Sequence, residues 1–156
     1  MSQIYVASSW RNLHQPSVVE ALRGAGHGVY DFRNPEPGDN GFSWKQCDPL
    51  LPATGWPIAE LARVLDHPAA RRGFQFDYGA MQRSTGACLV LPAGRSAHLE
   101  IGWLMARMPG RVCILSYEPI EPELMYLCGE AAPGSAKSFL FDCLDQVLAF
   151  FAERVS

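Results

Sequence analysis

Between Leu91 and Trp103 the chain reads Leu-Pro-Ala-Gly-Arg-Ser-Ala-His-Leu-Glu-Ile-Gly-Trp, in which an apolar strand gives way to a glycine-bearing turn and then a helical pattern. Ser96 is expected to cap that helix, which places Glu100 in its first turn. On a helical wheel Ser96, Glu100, Trp103 and Arg107 fall on one side. Ala97, Ile101, Leu104, Met105 and Met108 form an apolar stripe about a quarter-turn away. A helix N-terminus favours an ionised carboxylate, the state a nucleophile needs. The backbone N–H groups between Gly94 and Ala97 are suited to an anionic substituent. A glutamate early in a helix can equally do no more than complement the dipole, and position alone does not separate the two readings.

Two further groups have side chains suited to chemistry. Asp77 flanks the stripe Ala70, Phe74, Tyr78 and Met81, at the edge of a face expected to be buried. Burial raises an acid's pKa, which suits proton donation or a firm hydrogen bond to a hydroxyl; the alternative is a solvated residue on the helix rim. Tyr5-Val-Ala-Ser-Ser-Trp-Arg11 brings a phenol, the Ser8 and Ser9 hydroxyls and a guanidinium to the end of a strand. Ser9 and Arg11 match a phosphate or a ring oxygen, although a strand tyrosine is also an ordinary core residue and Arg11 an ordinary solvated one. His98 reads as a packing or hydrogen-bonding residue rather than a base.

The elements that must position these groups follow from the apolar pattern. Ile4–Ala7, Gly28–Phe32, Ala87–Leu91 and Val112–Leu115 are short apolar runs bounded by Gly, Pro or polar residues, as buried parallel strands are, and Ser138–Phe141 supplies a fifth. Helical stripes lie between them. Pro16 opens one that carries Val18, Val19, Leu22 and Ala25, and Gly24 and Gly26 end it. The last helix carries Leu144, Val147, Leu148 and Phe151, with Asp142 as its expected N-cap. Strand–helix alternation implies an α/β fold, a doubly wound five-stranded parallel sheet of flavodoxin- or Rossmann-like type, in the order 2-1-3-4-5. Ligands then bind outside the carboxyl ends of the strands near strands 1 and 3, which points at Ser8–Asn12, the loop after Phe32 and Pro92–Glu100. Residues 33–57 form a long Pro- and Gly-rich segment carrying Phe42, Trp44 and Trp56. It reads as a binding lid, or as a surface excursion anchored by its aromatics.

A chain of 156 residues suits one domain spanning 1–156. With 48% apolar and 19% charged residues, its composition is that of a folded globular protein. The formal net charge is −3, and the two lysines, Lys45 and Lys137, stand far apart. Without a basic cluster to neutralise phosphates, a nucleic acid polymer is a poor partner, whereas a single nucleotide is not excluded. No stretch reaches the roughly 20 apolar residues of a membrane helix, and MSQIYVASSW does not read as a signal peptide, so a cytoplasmic location is expected. The five cysteines show neither a CxxC pair nor zinc spacing, which points to reduced structural thiols and to no metal.

Taken in order, the three pieces resemble the nucleoside 2-deoxyribosyltransferase superfamily and its related nucleotide N-glycosidases. Ile4, Tyr5, Ser9 and Arg11 match its first strand end. Asp77, Ala80 and Met81 match its Asp-x-x-Ala-Met segment, and Glu100, Ile101 and Gly102 match its Glu-(Ile/Leu)-Gly. The similarity runs from about residue 3 to residue 116. It is nearest to a bacterial branch with the motifs found here at Tyr30–Pro35, Gly94–Glu100 and Glu121–Tyr126. The resemblance implies that Glu100 attacks the anomeric carbon of a sugar, expels the base and forms a glycosyl ester that water or another base resolves. It further implies catalytic roles for Asp77 and Tyr5. The residues themselves, by their chemistry and place, make Ser9, Arg11, Gly94, Ser96, His98 and Trp44 the expected substrate-binding residues. A nucleoside or nucleotide is the implied small-molecule partner, with no cofactor, and the implied assembly is a homodimer or larger homo-oligomer. Two positions depart from the pattern. Thr85 replaces the family's second aspartate, and His98 stands where a small residue is usual, which is expected to narrow the sugar pocket. A non-catalytic nucleotide-binding module of the same fold is the alternative.

Overall fold

A computed structural model describes residues 1–50, 52 and 55–155. Strand β1 (Gln3–Ala7) leads into helix α1 (Gln15–Gly24) and strand β2 (Gly28–Tyr30); helices α2 (Ile58–Leu65) and α3 (Pro68–Arg83) follow. Then come β3 (Gly86–Val90), α4 (Arg95–Arg107), β4 (Val112–Leu115), β5 (Leu140–Phe141) and α5 (Leu144–Arg154). All five strands are parallel in the order β2-β1-β3-β4-β5. The chain divides into two compact units, one of Met1–Asp31 with Arg83–Ser156 and one of Phe32–Gln82.

The first unit holds the whole sheet. Successive residues of a strand face opposite sides, and β1 shows the consequence. Ile4 faces the side on which Phe151 and Val155 of α5 pack, while Tyr5 faces α4 and bonds to it. Helices α1 and α5 touch one another and share the first face. Ile4, Val6, Val18, Leu22, Ile114 and Phe151 are fully or almost fully buried. The stripe expected on α4 is buried at all five positions. Cys88 and Cys113 lie side by side on β3 and β4, both buried, and burial raises the Cys113 thiol well above its ordinary range, so it stays protonated and inert. None of the five cysteines forms a disulfide.

In the second unit, Phe42, Trp44 and Trp56 pack on one another, and Phe42 packs against α3. Phe42 meets Trp44 edge-on at 4.9 Å, and Trp44 meets Trp56 at 5.6 Å. A Cβ on Gly73 of α3 would lie 2.9 Å from the Phe42 side chain, so the absence of one lets the ring settle there. Arg72 of α3 pairs with Glu36 at 2.9 Å and Asp39 at 3.0 Å. The expected lid segment also runs through Leu51, Ala53 and Thr54, which lie outside the described residues.

Several local expectations are corrected. Helix α4 begins at Arg95 with Gly94 as its N-cap, so Ser96 is its second residue and does not cap it. Cys143 rather than Asp142 precedes α5. Strand β2 stops at Tyr30, and the next residue, Asp31, accepts from Gln15 Nε2 at 2.9 Å. Phe74 is 58% exposed and stacks on Tyr78 at 5.2 Å instead of entering the core, and Ala25 is exposed at the end of α1. Helix α2, hidden among Pro, Gly and polar residues, has no counterpart in the sequence reading.

Gly86 gives a direct test of this packing. A Cβ there would lie 2.9 Å from Phe151 Cε1 and 3.1 Å from both Ile4 Cδ1 and Val155 Cγ1. Gly86→Ala is therefore expected to destabilise the protein by about 1–3 kcal/mol through overpacking. Denaturant unfolding measures the loss, and an unchanged midpoint would contradict the close packing of α5 on β3.

Candidate active site

Tyr5 is 1% exposed, yet its hydroxyl reaches out of the sheet and donates to Glu100 Oε2 at 3.1 Å. Its position follows from register. Tyr5 pairs with Tyr30 on one side and Ala87 on the other. The Tyr30 ring stacks on it at 5.4 Å and 15°, while the small Ala87 leaves space on the opposite flank. Stacked aromatic neighbours hold one another's orientation, so the phenol is aimed before Glu100 is considered.

Glu100 is half-buried and is the sixth residue of α4, not a first-turn residue. The favourable field of a helix N-terminus falls off within the first turn. The bond from Tyr5, in which the phenol O–H donates to a carboxylate oxygen, is therefore a better-placed orienting feature than the dipole. One turn further on, the Arg107 guanidinium lies over the Trp103 ring at 5.2 Å, on the same side of the helix.

The loops around this pair are tied together by their own polar groups. Ser8 Oγ donates to Val90 O at 2.7 Å, and Ser9 Oγ accepts from the Arg11 N–H at 3.2 Å. Asn12 Nδ2 donates to Val90 O at 3.0 Å and Pro92 O at 3.1 Å, and the Leu91–Pro92 peptide is cis. Arg11, Gly94, Arg95 and Ser96 are exposed at this carboxyl edge.

His98 lies two residues before Glu100, which on a helix turns its side chain some 200° away. Its Nδ1 lies 2.9 Å from Gly94 O and its Nε2 3.0 Å from Tyr126 Oη, with the two rings nearly parallel. A carbonyl cannot donate, so Nδ1–H donates to Gly94 O, and in the neutral ring the Tyr126 hydroxyl donates to Nε2. Burial, and then the charge of Glu123, raises the Tyr126 phenol and keeps it a donor. These contacts agree with the reading of His98 as a hydrogen-bonding residue rather than a base.

Asp77 and Trp44 belong to the second unit. Asp77 is half-buried on α3 next to Tyr78, and Trp44 sits between Phe42 and Trp56. Asn12, Tyr30 and Tyr126 were not singled out from sequence as individual site neighbours. Tyr30 and Tyr126 nonetheless lie inside two quoted motifs, Tyr30–Pro35 and Glu121–Tyr126. Among the described residues no group of His, Cys, Asp and Glu could hold a metal ion, and no helix is long and apolar enough to cross a membrane.

No family model matches the sequence, and no curated protein sequence matches it either. Among solved structures, the chain is similar to the 2-deoxyribosyltransferase of the psychrotolerant bacterium Bacillus psychrosaccharolyticus, described as a biocatalyst for the synthesis of antiviral and antitumoral nucleosides. The TM-score is 0.57 and the identity 18%, over 94% of this chain and 90% of that one. The chain has the nucleoside 2-deoxyribosyltransferase-like fold. The sheet order 2-1-3-4-5 with helices on both faces is that of this fold. In a 2-deoxyribosyltransferase-like frame, Tyr5 and Glu100 stand together, whereas His98, although close in sequence, faces another partner.

Tyr5→Phe removes only the donor to Glu100 and keeps the stack on Tyr30. It is expected to cost about 1 kcal/mol, because the half-buried carboxylate can turn to water. Tyr5→Ala also loses the ring and is expected to cost about 3–5 kcal/mol. Chemical denaturation of both variants checks the ordering, which equal losses would overturn.

Proposed function

We propose that the protein is an enzyme that cleaves or exchanges the N-glycosidic bond of a nucleoside or nucleotide through a glycosyl ester on Glu100. The observation that carries this reading is the hydrogen bond from buried Tyr5 to Glu100, within a fold shared with a nucleoside-processing enzyme. In the proposed reaction a Glu100 oxygen attacks the anomeric carbon as the bond to the base nitrogen breaks. The base leaves with the bonding pair and takes a proton. Water or a second base then attacks the same carbon and restores the carboxylate, two displacements that retain configuration.

Tyr5 holds the carboxylate in the attacking direction. The sequence resemblance supports Asp77 as the group that holds the sugar or supplies the proton to the base, and the long aromatic-bearing segment 33–57 is proposed as a lid with Trp44 as an aromatic surface for the base. Ser9, Arg11, Ser96 and the N–H groups at Gly94 and beyond are proposed to receive a 5′-phosphate, supported by the exposure of Arg11 and Ser96 at the carboxyl edge. His98 is proposed to shape the substrate site through Tyr126. A homodimer or larger assembly in the cytoplasm is proposed too; exposed Leu99 at 77%, Leu124, Met125 and Leu127 support an interface.

The test is release of free base from a panel of nucleosides and their 5′-monophosphates, followed by chromatography. Glu100→Gln keeps shape without charge, so base release is expected to fall by several orders of magnitude while nucleotide binding persists. A 2-fluoro-2-deoxy nucleoside is expected to leave a sugar adduct on the Glu100 peptide, visible by mass spectrometry. Near-full activity of the Gln variant, or an adduct on Asp77, would falsify the assignment. Nucleotide binding by the wild type without base release from any panel member would favour a non-catalytic module.

In the same panel, monophosphates are expected to turn over faster than the matching nucleosides, with Arg11→Ala removing the preference. Equal turnover of each pair would refute the phosphate role.

A further inference from the structure

Asn12 is 1% exposed, in the short connection between β1 and α1. Besides its two donations to Val90 O and Pro92 O, its Oδ1 accepts from the His14 N–H at 2.8 Å and its own N–H donates to Ser9 O at 3.0 Å. The β1–β3 register ends at Ala7 and Leu89. The Val90 and Pro92 carbonyls thus lie beyond the last β1–β3 pair, and the buried Val90 carbonyl, which accepts from Ser8 Oγ as well, needs donors there. Asparagine is suited to this place because it offers two N–H donors and an acceptor on a short stem. Aspartate lacks the donors when ionised, serine has one, and glutamine is a methylene longer.

The two ends joined in this way belong to the elements that carry Tyr5 and Glu100. Tyr5 is on β1, just before the connection, and Glu100 is on α4, which starts two residues after the Pro92–Ala93 peptide. We propose that Asn12 is a positioning residue for this pair. It clips the end of β1 to the β3–α4 turn and so sets the distance and direction of the Tyr5–Glu100 bond. Its kinetic consequence rests on the function proposed above, whereas its effect on the Tyr5–Glu100 bond does not.

The test compares Asn12→Asp and Asn12→Ser with Ser8→Ala, which removes a different donor from the same Val90 carbonyl. In protein carrying 13C at tyrosine Cζ, the Tyr5 resonance is assigned by its loss in Tyr5→Phe. It is expected to move in both Asn12 variants, more in Asn12→Asp, and to stay in place in Ser8→Ala. Should Asn12→Asp fail to fold by circular dichroism, Asn12→Ser, which retains one donor, decides the matter. For a substrate that the wild type turns over, kcat is expected to fall by up to about 100-fold, the scale of a 1 Å misplacement, with KM nearly unchanged. An unmoved Tyr5 resonance in a folded Asn12 variant overturns the proposal. A moved resonance with unchanged kcat overturns its catalytic part. Absence of base release from the wild type refutes the proposed function instead, and the resonance then judges Asn12 alone.

Discussion

The bond between Tyr5 and Glu100 makes a demand on almost every element of the first unit. A strand side chain has to reach a helical one across the sheet–helix interface, and both are fixed by the packing of other residues. β1 is held between β2 and β3, so that Tyr5 has Tyr30 on one flank and Ala87 on the other. The rotation of α4 is set by burial of Ala97, Ile101, Leu104, Met105 and Met108. Each residue turns a helix by 100°, so slipping that stripe by a single position would carry Glu100 out of reach of the phenol. Core packing and site geometry are here one constraint seen from two sides.

Much of this arrangement was legible in the sequence because burial leaves a periodic trace. The β1, β3 and β4 runs were continuous and apolar, the α4 stripe was buried at every position expected, and strand–helix alternation gave the sheet order. Periodicity says less about where an element stops. Ser96 has the right chemistry for an N-cap, yet the turn begins the helix at Arg95, where Asn12 already holds the Pro92 carbonyl. Phe74 and Tyr78 have the spacing of a core stripe, but an i,i+4 pair of rings can satisfy one another on an exposed face, and these stack. The eight-residue α2 lies between a Pro- and Gly-rich stretch and Pro68, so breaker residues concealed its pattern.

His98 marks a different limit. Its neighbourhood in the chain, two residues from Glu100, suggested a neighbourhood in space, and helical geometry sends the two side chains apart. Its partner is Tyr126, 28 residues on, in the second of two motifs that the sequence displayed without relating. The Glu123 side chain accepts from the Met125 N–H at 2.9 Å and caps the short turn that carries Tyr126. The histidine and tyrosine of these separate motifs are therefore one contact. Nothing local in either segment encodes it.

The carboxyl edge of a parallel sheet is where the hydrogen-bond ladder runs out, and it is also where loops bring ligand-binding groups together. Polar side chains there have two tasks, and burial divides them. Asn12, Gln15 and Asp31, all nearly inaccessible, are bonded to neighbouring carbonyls, N–H groups or one another. Arg11, Arg95 and Ser96 stand in solvent at the same edge. A buried amide that satisfies stranded carbonyls stiffens the loops from which the exposed residues project. That stiffness lets a half-buried carboxylate keep one direction although its hydroxyl donor lies on another element. The residues that complete the backbone's hydrogen bonds and those that stand exposed at this edge are thus parts of the same device, and a sequence motif shows mainly the second set.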